Sequence, residues 1–206
     1  MHGLVRADRA DLVRLLAELT PEEWAAPTAL PGWSVHDVAA HAIAYDELGW
    51  GGFVRRFGQA PLGLDRANDI GVHADRGLSR EQVLERYPRH PGPRGLSTAF
   101  GGRLGLTEGL VHQQDIRRAL GRPRELPADG LRVVFPFALW ALVLPGRRLM
   151  KGLRLVPTDL DAHWGSRPAV TGPAEALLMA TLGRDTLGEL GGPGWATLAA
   201  RLTGSG

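Results

Sequence analysis

The 206-residue sequence has no cysteine, and Lys151 is its only lysine. Without cysteine there can be no disulfide, no thiolate metal ligand and no cysteine nucleophile. Any metal must be held by His, Asp or Glu, and any thiol chemistry needs a thiol carried in by a small molecule. Aromatic residues make up only 6% of the chain, and the net charge is +2. The pI near 9.6 reflects a small arginine excess and not a basic face, so a nucleic-acid partner is not indicated. The N-terminal MHGLVRADRADLVRLL lacks the apolar core of a secretory signal. The most apolar run, Val133 to Leu144, contains Pro136 and is too short to span a membrane. These absences point to the cytoplasm and away from a membrane partner.

What is present is a helical texture with 44% hydrophobic residues, enough for a core. Leu4, Leu12, Leu15, Leu16 and Leu19 recur at helical spacing, which predicts an amphipathic helix from about Leu4 to Leu19. Thr20-Pro21 caps a short turn, and Ser34-Val35-His36-Asp37 reads as a capping box for a helix from Val35 to about Phe57. Gly58 to Arg76 reads as a loop, and Ser79 caps a short helix to Tyr87. A long helix is predicted from about Ser97 to Leu120, and another from about Asp129 to Leu144. Four main helices suit a four-helix bundle. After Pro145 the pattern changes: two short strands, at Leu153–Thr158 and Leu160–Trp164, then helices beginning near Pro173 and Trp195. The expected organisation is mainly α: a bundle over 1–150 followed by a small α+β domain over 151–206.

Three residues stand where apolar groups are expected. Glu108 and His112 are four apart on a predicted helix, so they share a face with Leu104 and Val111. His41 shares its helix face with Val38, Tyr45 and Leu48. Burying such groups costs free energy unless something compensates. Two imidazoles and a carboxylate offer a divalent ion three ligands and leave a position open. On spacing alone the alternative stands beside this reading: a lone histidine on an apolar face is more often a hydrogen-bonded core residue, and Glu-x-x-x-His recurs by chance. Asp115, one turn after His112, suits either an ion pair with Arg117 or Arg118 or a hydrogen bond that orients His112. Trp33 is expected to pack at the helix entry and His36 to be exposed. His73, His90 and His163 fall in loop or strand contexts without a paired ligand.

Two segments carry a family likeness. Trp24-Ala-Ala-Pro-Thr-Ala-Leu-Pro-Gly-Trp-Ser-Val-His-Asp-Val-Ala-Ala-His resembles the N-terminal signature of the mycothiol-dependent maleylpyruvate isomerase family, within the DinB-like superfamily. Glu108-Gly-Leu-Val-His-Gln-Gln-Asp-Ile-Arg-Arg-Ala-Leu-Gly resembles its second signature. Gly172-Pro-Ala-Glu-Ala-Leu-Leu-Met and Leu182-Gly-Arg are similar to its small C-terminal domain. The resemblance implies a DinB-like four-helix bundle and a metal, zinc by family habit, on His41, Glu108 and His112. It also implies mycothiol as the thiol cofactor or co-substrate, and a functional arginine in the C-terminal domain, for which Arg184 is the candidate. Tyr45 is the candidate hydrogen-bond donor near the metal, with simple aromatic packing as its alternative.

The implied activity is addition of a metal-activated thiol to an electrophilic small molecule, as isomerase or S-transferase. A metal-dependent hydrolase or tailoring enzyme that uses no thiol, and a non-catalytic metal- or ligand-binding protein, are the alternatives. The expected partners are a small-molecule substrate and the thiol, with the chain as monomer or homodimer.

Overall fold

The computed structural model describes residues 1–58 and 64–204. Its contacts divide the chain into two compact units, Met1–Arg124 and Glu125–Gly206. The division falls ahead of the boundary expected at 150/151. The helix predicted at 129–144 therefore groups with the strands that follow it.

The first unit is helical. Helix α1 (His2–Glu18) buries Val5, Leu12, Leu15 and Leu16 on one stripe. Helix α2 (Pro21–Ala25) starts with the expected cap, in which the Thr20 hydroxyl and the Glu23 side chain each satisfy the other's backbone N–H. Helix α3 (Val35–Gly58) begins as predicted: Ser34 Oγ accepts from Asp37 N–H at 3.2 Å, and Asp37 accepts from Ser34 N–H at 2.9 Å. It breaks at Gly49, where φ is +57°, a conformation that costs a side-chain-bearing residue free energy. Helix α4 (Leu64–Asp75) occupies most of the stretch read as a loop, residues 59–63 of which lie outside the described residues. It packs on α3 and is inconspicuous in sequence because the described residues it buries are Ala67, Gly71 and Val72, two of them small.

Helix α5 (Arg80–Arg86) carries the capping box of Ser79 and Gln82. The predicted helix 97–120 divides into an irregular 3-10 segment, Gly95–Gly102, and helix α6 (Arg103–Ala119). Positive φ at Phe100, Gly101 and Gly102 interrupts it. The segment lies on the α3 break, where a Cβ on Gly95 would stand 2.9 Å from the Gly49 Cα. Two glycines thus permit a backbone-to-backbone approach.

The core of this unit joins Leu12, Leu16, Trp24, Val35, Val38, Ile43, Val83, Tyr87 and Ile116. Buried Tyr87 donates its hydroxyl to the Ala39 carbonyl at 2.7 Å. Polar groups hold the helix ends. Asp11 on α1 accepts from Gln113 at 2.7 Å and Arg117 at 2.8 Å on α6. Arg9 donates to the carbonyls of His90 and Gly92 and to the Asp46 carboxylate, which also accepts the Arg94 N–H at 2.7 Å.

The second unit holds helices α7 (Ala128–Trp140), α8 (Gly146–Leu149), α9 (Ala174–Thr181) and α10 (Trp195–Thr203). Helix α7 ends at Trp140, short of the expected Leu144, and keeps Pro136 inside. A three-stranded sheet has the order β2-β1-β3, from β1 (Arg154–Pro157), β2 (Trp164–Gly165) and β3 (Ala169–Gly172). Antiparallel pairing of two strands here was expected, but β2 is only Trp164–Gly165 and shares just Trp164 with the strand read at 160–164, so the connection is longer than expected. Strand β3, parallel to β1 with Leu155 opposite Val170, was not expected. Only four residues long and followed at once by Pro173, it offers little alternation to read. Leu155 and Val170 face the wholly buried α9, and Phe135 stacks on Trp164 at 4.3 Å. No described helix is long and apolar enough to cross a membrane.

Candidate metal centre

His41 lies one and a half turns into α3, and Glu108 and His112 lie on the facing stripe of α6. Packing of these two helices brings together residues far apart in sequence. One potential ligand atom from each lies within 4.8 Å of the others. The His41 and His112 rings meet edge-on, with centroids 4.9 Å apart. Atoms bound to one zinc ion at ~2.1 Å can be at most ~4.2 Å apart, so a side-chain adjustment of well under 1 Å closes the set. Both histidines are buried, whereas 40% of the Glu108 side chain is exposed. The donor types, their spacing and one open side therefore fit a divalent ion.

His112 sits between two carboxylates. Nδ1 is 3.0 Å from Asp115 Oδ2, and Nε2 is 3.1 Å from Glu108 Oε2. Burial alone would push its pKa down, but the hydrogen bonds and charges of Asp115 and Glu108 outweigh it and raise the pKa to about 9. An imidazole must be neutral to bind a metal, so an ion entering here displaces a proton. The fully buried Asp115 thus hydrogen-bonds a candidate ligand, one of its two sequence readings. Arg117 turns instead to Asp11.

An aromatic file extends from His41. Trp33 packs edge-on to His41 at 5.0 Å and Tyr45 at 5.6 Å, with Phe53 6.3 Å beyond Tyr45 and Trp50 6.3 Å beyond Phe53. Trp33 is more than a helix-entry residue, then, because its ring is part of the His41 surround. Tyr45 donates its hydroxyl to Asn68 Oδ1 at 2.6 Å. Burial raises its pKa to about 12, against the lowering effect of Arg56 and with a further push from Glu108. The Arg56 guanidinium carbon lies 5.9 Å from the Tyr45 ring centroid. Asn68 and Arg56 were not singled out from sequence, Asn68 because its segment read as loop and Arg56 because arginines are common throughout.

A cavity of about 30 Å³ lies beside Glu108, lined by Asp8, Arg9, Leu12, Tyr87, Ser97 and Gly109 among others. It has room for a water molecule or so, not for an organic substrate. His36 is half-buried, contrary to expectation. Its Nε2 is 2.9 Å from the Leu78 carbonyl, and its ring packs 5.9 Å from Trp24. His73 falls on α4, not in a loop, and is exposed. Arg184 lies in the second unit just after α9 and donates to the Leu182 carbonyl at 2.8 Å.

Residues 5–96 match the family described as the mycothiol maleylpyruvate isomerase N-terminal domain. The N-terminal part of the chain is therefore similar to that domain, as its first signature indicated. The match takes in His41 and ends before Glu108 and His112. Among solved structures, a histidine-to-alanine mutant of a mycothiol-dependent maleylpyruvate isomerase is similar over 93% of this chain and 90% of that one, with a TM-score of 0.58 and 14% identity. The fold is thus DinB-like and helical, with a small α+β part, as expected. No curated protein sequence matches the chain.

Proposed function

We propose that this protein is a metal-dependent enzyme of the mycothiol-dependent isomerase or S-transferase type, with zinc held by His41, Glu108 and His112. The observation that carries the reading is the convergence of these three side chains, two of them buried, within bonding reach of one ion. The matched N-terminal domain and the shared fold support the thiol-using class over hydrolysis. An ion at this site supplies a Lewis acid that keeps a small-molecule thiol, here mycothiol, deprotonated at neutral pH for attack on an electrophile.

The protein's own groups orient and donate. Asp115 holds His112 Nδ1–H and so directs Nε2 toward the centre. Glu108, partly exposed, marks the open side through which thiol and substrate enter. Tyr45 remains a phenol at every physiological pH, packed on His41 and anchored by Asn68, and is the candidate hydrogen-bond donor to substrate oxygen. Arg184 is the candidate for stabilising developing negative charge, a role supported by its place in the tail segment that resembles the family's.

Metal analysis by native mass spectrometry, paired with turnover assays with and without mycothiol, tests this reading. One zinc per chain and strict thiol dependence are expected. A His41→Ala variant that kept full zinc stoichiometry would overturn the site, and turnover without any thiol would overturn the class.

A further inference from the structure

Beyond the three candidate ligands, one charged group in the file of rings has no ion-pair partner among the described residues. Arg56, in the last turns of α3, is half-buried. Its guanidinium lies over Tyr45, whose ring packs against His41. The other partly buried arginines of this unit are engaged: Arg9 pairs with Asp46, Arg86 with Glu47 and Asp75, Arg117 with Asp11, and Arg124 with Asp8 and Asp11, and Arg118 is not free either. Arg56 forms no ion pair among the described residues. Its seat is also shaped for it, since a Cβ on Gly71 of α4 would stand 2.6 Å from Arg56 Nη1. The guanidinium therefore lies directly against a stretch of helix that carries no side chain there. Tyr45 and Gly71 flank it, and no carboxylate among the described residues forms an ion pair with it.

We propose that Arg56 is the anion receptor of this site and binds a carboxylate of the reacting molecules, which gives the enzyme selectivity for anionic over neutral ligands. A guanidinium presents its N–H groups as a planar fork that matches a carboxylate. Placed over the Tyr45 ring and against Gly71, Arg56 is held before the ligand arrives, so less side-chain entropy remains to be lost on binding. Arg56 and His41 both pack on the Tyr45 ring, so the guanidinium belongs to the same file of side chains as the candidate metal ligands. This inference rests on the metal-site reading for where the ligand sits, and not for whether Arg56 binds anions.

The carboxylate can belong to the electrophile or to the thiol. Both sources are tested by calorimetry on the zinc-loaded protein, with maleate against dimethyl maleate and N-acetylcysteine against N-acetylcysteamine. In the pair that carries the recognised carboxylate, the charged member should bind about tenfold or more tighter. Arg56→Gln should remove that preference while leaving the neutral member's affinity, the zinc content and the melting temperature unchanged. Gly71→Ala keeps the charge but intrudes on its seat, and should weaken the charged member alone. Equal loss for charged and neutral ligands in Arg56→Gln, or no preference in the wild type, would overturn the proposal. So would an unchanged preference in both variants. Failure of the metal reading would show separately, as a preparation without zinc whose anion preference still depends on Arg56.

Discussion

At the scale of single residues, the centre depends on groups that hold other groups. Asp115 is not one of the three candidate ligands but accepts from His112, which is. Asp115→Asn should keep the fold and all three ligands yet weaken zinc binding by ~10–100-fold, read by competition with a chelating dye. An unchanged affinity would show that His112 needs no support. Asp8 offers a test of burial. It lies at the α1–α6 contact beside Arg124, and burial dominates, raising its pKa from 3.8 to about 6 despite that arginine. The native state therefore holds this proton more tightly than the unfolded chain. Its contribution is favourable at pH below ~4 and is lost as pH rises through 6. Asp8→Asn should remove this downward component between pH 4 and 6, visible as a less negative slope of unfolding free energy against pH than in the wild type.

At the scale of elements, legibility followed side-chain size. The starts of α2, α3 and α5 could be read because Thr20, Ser34 and Ser79 cap them with side chains that leave a sequence pattern. Helix α4 left none, because Ala67 and Gly71 pack by being small. The long helix expected from Ser97 begins only at Arg103, since Gly101 and Gly102 adopt positive φ in the middle of an otherwise helical composition. Glu108 and His112 could be paired by spacing, but their meeting with His41 depends on how α3 packs on α6, which no local pattern encodes. The close approach at Gly95 gives a measurable contrast. Gly95 and Gly121 both have positive φ, but only Gly95 is crowded, by the backbone of Gly49. Gly121→Ala should cost ~1 kcal/mol from conformation alone, and Gly95→Ala clearly more, by urea unfolding. Equal costs would mean that the 95–102 segment yields easily.

At the scale of the whole molecule, the three candidate ligands all belong to the first compact unit and Arg184 to the second. A fragment of residues 1–124 should therefore fold and take up one zinc, as read by circular dichroism and metal analysis. If Arg184 contributes to chemistry, the same fragment should lose thiol-dependent turnover while keeping its metal. The place where the sequence changes texture, near Pro145, is thus not where the contacts divide, because Phe135 of α7 stacks on Trp164 and so belongs with the sheet. The contacts of Arg9 have a consequence for how the protein meets proteases. Residues 88–95, Pro-Arg-His-Pro-Gly-Pro-Arg-Gly, have the composition of an easily nicked connection. Arg9 and Asp46 nevertheless tether this stretch at His90, Gly92 and Arg94. Trypsin should spare Arg89 and Arg94 in the native protein and cut there soon after Arg9→Ala releases them, so a single side chain of the first helix guards a cleavage site some eighty residues away in sequence.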